Sequence, residues 1–187
     1  MAIKTFTTGE VLTASDTNTY LNNGGLVYIS AITTTAATVF LDGVFTSTYE
    51  NYLCTFQATN VTSTGTFNWR VRASSSPLTS AYRWGSTAYY YDAGSGFGYS
   101  SASSAGVPFA VSSGGSYGAG SLLIMNPQVS GRKTITIADG ASDFSNYIGF
   151  NVRGQINNTN SYDGIQVYQD AGGTITGTLR VYGIRQA

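Results

Sequence analysis

Histidine is absent from this chain of 187 residues, and cysteine occurs once, as Cys54. Without imidazole, the Ser-His and Cys-His nucleophiles of hydrolases cannot form, and neither can the zinc and iron sites that rely on histidine. Cys54 falls on the apolar side of an alternating pattern, which predicts a buried and unreactive thiol. The sequence therefore predicts no cofactor and no metal, and it favours a protein that is not an enzyme.

Charge is also scarce, because nine basic and nine acidic residues make up 10% of the chain and cancel. No basic surface is available to steer the chain onto nucleic acid or anionic lipid. The longest clear apolar run, residues 122–125, is far shorter than the roughly 18 residues of a membrane span, and the first residues lack the regions of a secretory signal. We expect no nucleic acid, no membrane insertion and assembly in the cytoplasm.

Serine, threonine and glycine are abundant instead, with 47 Ser and Thr residues and 23 Gly. These residues are weak helix formers, and they are typical of short strands and turns. Residues 51–59 and 66–72 alternate between apolar and polar side chains, as half-buried strands do. About ten such segments are separated by turn pairs such as Asp139-Gly140. The sequence predicts an all-β chain, with an antiparallel β-sandwich of jelly-roll type over residues 26–187.

Residues 1–24 carry the only helix-like pattern. Its apolar positions are Val11, Leu12, Tyr20 and Leu21. A helix of about two turns is marginal alone in water, so it has to dock either on the rest of this chain or on another protein. The following Gly24-Gly25 pair sets the segment apart, which favours the second alternative. We predict a short N-terminal helical anchor that acts as a docking segment.

Residues 92–121 interrupt the strand pattern, because eight Gly and nine Ser occupy 17 of the 30 positions. No charged residue occurs from Ala93 to Gly131, while aromatic residues such as Phe97 and Phe109 remain available to pack. We predict a long Gly/Ser-rich excursion that is ordered against a neighbouring subunit or displayed at an end of the sandwich. Such a neutral, partly apolar surface also favours a homotrimer over a monomer.

Two other kinds of site need no histidine. A glycosidase needs a pair of carboxylates, but most of the nine here fall in turns or in the N-terminal segment, and none forms a recognisable pair. The Asn-rich residues 157–164 offer oxygen ligands for calcium without the acidic spacing of an EF-hand loop, so a hairpin turn explains them better. Neither pattern predicts a site.

A cluster of aromatic residues is the pattern in this sequence that predicts a binding surface. Seven of them fall within 18 residues: Tyr82, Trp84, Tyr89, Tyr90, Tyr91, Phe97 and Tyr99. Exposed rings beside Ser, Thr and Asn can bind a glycan or a protein partner, and packing in a core or an interface is the alternative. Because successive strand residues face opposite sides, Tyr90 is expected on one face, with Tyr89 and Tyr91 on the other.

Three segments resemble virion proteins of tailed bacteriophages. They are FTTGEVLTASDTNTYLN at residues 6–22, FTSTYENY at 45–52 and GTLRVYGIR at 177–185. The resemblance covers segments near both ends of the chain and the start of one predicted strand, whereas residues 77–121 resemble no family. Proteins of this kind serve as tail fibres, head fibres or minor structural proteins, and those of the fibre type are usually homotrimers.

The resemblance implies a non-enzymatic structural protein of the virion, in contact with a tail adaptor, a portal or the capsid. We expect a fibre-type protein that is attached through its N-terminus and displays its β-sandwich to host-surface glycan. One alternative is a capsid-decorating protein, of cement or head-fibre type, that stabilises the capsid. Another is a polysaccharide-cleaving tailspike module.

Overall fold

The computed structural model describes residues 7–11, 13, 25–90, 94–143 and 148–185. Within these segments the chain is all-β, and none of them forms a helix of the length and apolarity that a membrane crossing requires. The strands are β1 (Leu26–Ala36), β2 (Thr38–Leu41), β3 (Asn51–Val61), β4 (Gly65–Ala73), β5 (Ser76–Pro77), β6 (Tyr82–Tyr90), β7 (Ser95–Ser104), β8 (Val107–Ser112), β9 (Gly118–Met125), β10 (Ile135–Ser142), β11 (Ile148–Ile156), β12 (Gly164–Gln169) and β13 (Ile175–Ile184). Most of the predicted helical anchor lies outside the described residues.

The strands form two antiparallel sheets. The large sheet has eight strands in the order β1-β13-β3-β9-β10-β11-β6-β7. In the small sheet, β12 lies between β2 and β4, and both β5 and β8 pair with β4. The two sheets enclose one apolar core, an arrangement consistent with the predicted β-sandwich.

The core follows from the period of two along each strand. Tyr52, Cys54 and Phe56 of β3 are almost completely buried, and so are Phe67 and Trp69 of β4. The rings of Phe56, Phe67, Trp69 and Phe109 meet at centroid distances from 4.8 to 6.3 Å. The prediction that Cys54 is buried is confirmed, and this burial raises the pKa of its thiol far above the ordinary value.

Two parts of the chain differ from the sequence prediction. The described residues of the predicted 92–121 excursion form β7, β8 and the start of β9, with Phe97 and Tyr99 on one face of β7. Asp139-Gly140 makes no turn, because both residues lie within β10 and pair with Ser121 and Gly120 of β9. Backbone hydrogen bonds between strands thus place Gly- and Ser-rich segments in the sheets, although the side chains of these segments do not predict a strand.

Candidate functional site

An aromatic cleft of about 400 Å³ opens where β6 and β7 of the large sheet meet β4 and β8 of the small sheet. Its aromatic residues are Trp84 and Tyr90 of β6, Phe97 and Tyr99 of β7, and the nearly buried Phe150 of β11. The volume lies within the range of pockets that hold small molecules. Five aromatic side chains in a cleft of this size provide several apolar planes for one ligand.

The register between β6 and β7 determines which rings meet. Ala88 pairs with Phe97 and Ser86 pairs with Tyr99, so the alternate residues of both strands face the cleft. The ring centroid of Phe97 lies 5.0 Å from that of Tyr90 and 4.9 Å from that of Tyr99. Tyr99 is 56% exposed, whereas Tyr90 and Phe97 are half-buried. The three rings therefore form a continuous row that reaches solvent at Tyr99.

The opposite wall of the aromatic cleft is polar. Thr66 and Asn68 alternate along β4 with the core residues Phe67 and Trp69, so they face away from the core. The Asn68 amide nitrogen donates to the Thr66 carbonyl at 2.9 Å. The Asp170 carboxylate accepts from the Thr66 amide at 2.8 Å. These bonds fix amide and hydroxyl groups opposite the row of rings.

Two polar atoms of the cleft-lining residues have no hydrogen-bond partner among the described residues. They are the indole Nε1 of Trp84 and the hydroxyl Oγ of Ser86, and both are closed to solvent. Leaving such a group unpaired costs about 1–3 kcal/mol, and most buried polar groups in proteins are paired. A ligand in the cleft could reach these two atoms only if the side chains that cover them moved. The accessible part of the cleft, which combines aromatic rings with the polar wall, favours a ligand that carries hydroxyl groups as well as an apolar face.

The structure brings four of the seven sequence-predicted aromatic residues together. Tyr82 lies instead in the core, where its hydroxyl accepts from the Val71 amide at 2.9 Å and donates to the Leu78 carbonyl at 3.1 Å. Burial raises the pKa of Tyr82 well above its ordinary value. Tyr89 is 48% exposed on the other face of β6, as the alternation with Tyr90 predicts.

Other predicted site residues fall largely outside the described segments. Tyr91 of the aromatic run is one of them, and so are Leu12, Tyr20 and Leu21 of the docking segment. Val11 is described and is 79% exposed. An exposed valine is available for the contact with another protein that the sequence predicts for this segment.

The polar residues of the cleft were not predicted from the sequence. Ser86 lies between Trp84 and Ala88 on the inward face of β6, so strand alternation offered a signal for it. Asn68 and Asp170 come from parts of the chain that are distant in sequence from β6 and β7, and no local pattern links them. Only the pairing of strands reveals that they share a site.

Several carboxylates of the described residues are engaged in hydrogen bonds within the chain. Asp42 bonds Arg72, Asp139 accepts from Asn151, and Asp143 accepts from the Tyr117 amide. Asp170 is the one carboxylate lining the aromatic cleft in the described part of the chain. Over the same segments, no three acidic or thiol side chains come together in a group that could hold a metal ion. The cleft is therefore built for stacking and neutral hydrogen bonds.

Truncation of Tyr90 and of Tyr89 is expected to affect stability differently. Tyr90→Ala removes a ring that packs on Phe97 and on the core, and it should lower the free energy of unfolding by about 2 kcal/mol or more. Tyr89→Ala removes an exposed ring and should change it by about 0.5 kcal/mol or less. Urea unfolding of both variants measures the difference. Equal losses would contradict the opposite placement of the two rings.

Comparison of the chain with protein-family models, with curated proteins and with solved structures finds no match.

Proposed function

We propose that this chain is a non-enzymatic structural protein of a bacteriophage virion, of the fibre type. Residues 1–24 attach it to the particle through a short helical anchor, and the body, a sandwich of jelly-roll type, binds a glycan of the host surface. The resemblance of three sequence segments to virion proteins supports the location, and it also supports a homotrimer. The aromatic cleft is the observation that carries the binding role.

The chemistry of the aromatic cleft favours a neutral glycan. Sugar rings present C–H faces that pack on aromatic planes, which the row of Tyr90, Phe97 and Tyr99 offers. Their hydroxyl groups can pair with the polar wall of Thr66, Asn68 and Asp170. Since no lysine or arginine lines the cleft among the described residues, an acidic glycan would find no counter-charge there.

The proposed function can be tested on phage particles that carry single substitutions in this chain. Tyr99→Ala and Phe97→Ala should weaken attachment to host cells by about 1–3 kcal/mol per site, because each removes a stacking plane. Tyr117→Ala is a matched control, since Tyr117 is 60% exposed but does not line the cleft. Adsorption rates of the three particles measure the effect.

One outcome of the adsorption experiment would contradict the proposed function. If the Phe97 and Tyr99 variants adsorb like the wild type while the protein is present at full occupancy, the cleft has no role in attachment. Imaging of the same particles gives the occupancy, and it also locates the protein. Deletion of residues 1–24 should remove it from the particle; retention at full occupancy would contradict the docking role.

A capsid-decorating protein is the second candidate, and one observation favours it. The outward face of the large sheet exposes large apolar side chains, among them Tyr28 and Ile135, that could pack on a capsid. A fibre-type protein should appear on the tail with its cleft directed outwards, whereas a decorating protein should cover the capsid. The third alternative, a polysaccharide-cleaving tailspike module, requires release of reducing sugar from host polysaccharide by the purified protein.

A further inference from the structure

We propose that the outward face of the large sheet is a self-association surface that packs against a second copy of this chain. The inference goes beyond the proposed function, because it concerns the side of the large sheet opposite to the core and the aromatic cleft. The surface is defined by nine apolar residues that we call the apolar face. They are Leu26, Tyr28, Leu53, Leu123, Met125, Ile135, Ile137, Tyr182 and Ile184.

Strand register shows that these nine side chains form two adjacent rows. One row runs through the paired residues Tyr28, Tyr182, Leu53, Leu123 and Ile137. The next row runs through Leu26, Ile184, Asn51, Met125 and Ile135, in which Asn51 is the one polar member. Each of these residues alternates with a more deeply buried neighbour on its strand, so the rows point away from the core.

The apolar face is exposed over five neighbouring strands. Leu26, Tyr28 and Ile135 keep 48%, 59% and 45% of their surface exposed, and the other six are half-buried. Tyr28 and Tyr182 meet edge to face at 5.9 Å, so the rings lie side by side across β1 and β13. With strands about 4.8 Å apart and alternate residues about 6.8 Å apart, the nine side chains cover roughly 300 Å². A contiguous apolar patch of about this size is often a functional surface.

The rest of the outward face extends this surface with small side chains. Beside the apolar rows lie Thr55, Ser121, Ala119 and Ala141, which leave a shallow depression in the middle of the sheet. Four rows across the six strands from β1 to β11 of the sheet order cover roughly 800 Å² by the same spacings. One partner in a stable protein interface contributes about 800 Å². The face is therefore large enough and flat enough for sheet-on-sheet packing with another copy.

Charge on the next row makes the face complementary to itself. Arg180, Thr55, Ser121 and Asp139 are successive pairing partners across β13, β3, β9 and β10. A two-fold axis parallel to the strands and midway between β3 and β9 exchanges β13 with β10. Arg180 of each copy then faces Asp139 of the other copy, Leu53 faces Leu123, and Tyr182 faces Ile137. The same axis places Tyr28 of β1 opposite Arg153 of β11, so the apolar residues that meet apolar counterparts are those of the four central strands. Opposite charges and these apolar residues thus meet in a single arrangement.

This arrangement is tested by the mass of the full-length protein in solution. Because the contact is two-fold, wild-type protein should have the mass of an even number of chains at micromolar concentration in sedimentation velocity or light scattering. That number is two, or six if the homotrimer of the proposed function also forms. Ile137→Lys should weaken association at least about a hundred-fold, because it places an unpaired charge in the contact. Thr87→Lys is the matched control, since Thr87 is exposed on the same outward face but lies on β6, outside the proposed contact. Circular dichroism confirms that each variant is folded.

Reversing the charges of Arg180 and Asp139 tests whether the apolar face is the contact, and it introduces no charge into the apolar rows. Arg180→Glu and Asp139→Lys should each weaken association about ten-fold, and the double variant should restore most of it. A monomeric or simply trimeric wild type would overturn the proposal, and so would an oligomer that tolerates Ile137→Lys. The proposed glycan site is tested separately, by adsorption of particles with variants of the aromatic cleft. A negative result for self-association would therefore not contradict the glycan site.

Discussion

Replacing Arg72 with alanine is expected to lower the free energy of unfolding by about 3 kcal/mol. The guanidinium is almost completely buried and donates to Asp42 at 2.6 and 3.2 Å, to the Gln166 side chain at 2.8 Å and to the Ser75 carbonyl at 2.6 Å. It also lies 4.2 Å from the centre of the Phe40 ring. Its removal leaves the buried side-chain oxygen of Gln166 without this donor and takes a partner from the partly exposed Asp42 carboxylate and from the Ser75 carbonyl, which costs more than the ion pair itself contributes.

Denaturant unfolding of Arg72→Ala beside two other variants isolates this effect. Arg153→Ala should change stability by about 0.5 kcal/mol or less, because its contact with Asp139 is 3.9 Å long and both side chains are about half exposed. Arg72→Lys should recover little, since a lysine cannot donate to three acceptors in the same plane. A wild-type midpoint for Arg72→Ala would contradict the role of this cluster at the β4–β12 pair.

Gly140→Ala is expected to lower the free energy of unfolding by about 3 kcal/mol, at the upper end of the cost of overpacking. A Cβ atom at this position would overlap the carbonyl oxygen of Phe109, and the Ala119 carbonyl lies only 3.0 Å away. Both obstacles are backbone atoms of neighbouring strands, so a side-chain rotation cannot relieve the clash. Thermal unfolding followed by circular dichroism measures the loss.

Gly85→Ala is the matched control for Gly140→Ala, because Gly85 also lies within the large sheet but has no atom within 4 Å of an added Cβ. It should be neutral or slightly stabilising. Gly120→Ala offers a further contrast, since its added Cβ would overlap the ring of Phe109 rather than its backbone. Phe109→Ala should therefore relieve Gly120→Ala but not Gly140→Ala, and equal relief of both would contradict the packing.

The strands of the central core could be predicted because their side chains alternate clearly. Residues 51–59 and 66–72 place large apolar and polar residues in turn, and β3 and β4 extend them by a few residues. Strand β7 could not be predicted in the same way, because Ser and Gly occupy most of its positions. Strand β8 contains Pro108 and does not alternate between apolar and polar residues. Gly140 looks like part of a hairpin turn locally, whereas its actual role depends on Phe109, which is distant in sequence. Tertiary packing decides its conformation.

The sequence predicted the aromatic residues of the candidate site but not its polar wall. The cluster of aromatic residues from Trp84 to Tyr99 is visible in the sequence, and alternation separates Tyr89 from Tyr90. Tyr82 shows the limit of this reasoning, because composition alone does not distinguish a ring in the core from a ring in a cleft. The polar wall and the apolar face depend on strand order, which connects residues that are far apart in the chain.

Tryptophan fluorescence during titration with neutral oligosaccharides from the host surface tests the glycan-binding claim most directly. The chain has two tryptophans, and Trp69 is buried in the core, so a ligand in the aromatic cleft should change the emission of Trp84 alone. The account predicts a saturable change that is absent in Trp84→Phe, weakened about ten-fold or more in Tyr99→Ala and retained in Tyr117→Ala. Emission that stays constant at saccharide concentrations that block phage adsorption would contradict it.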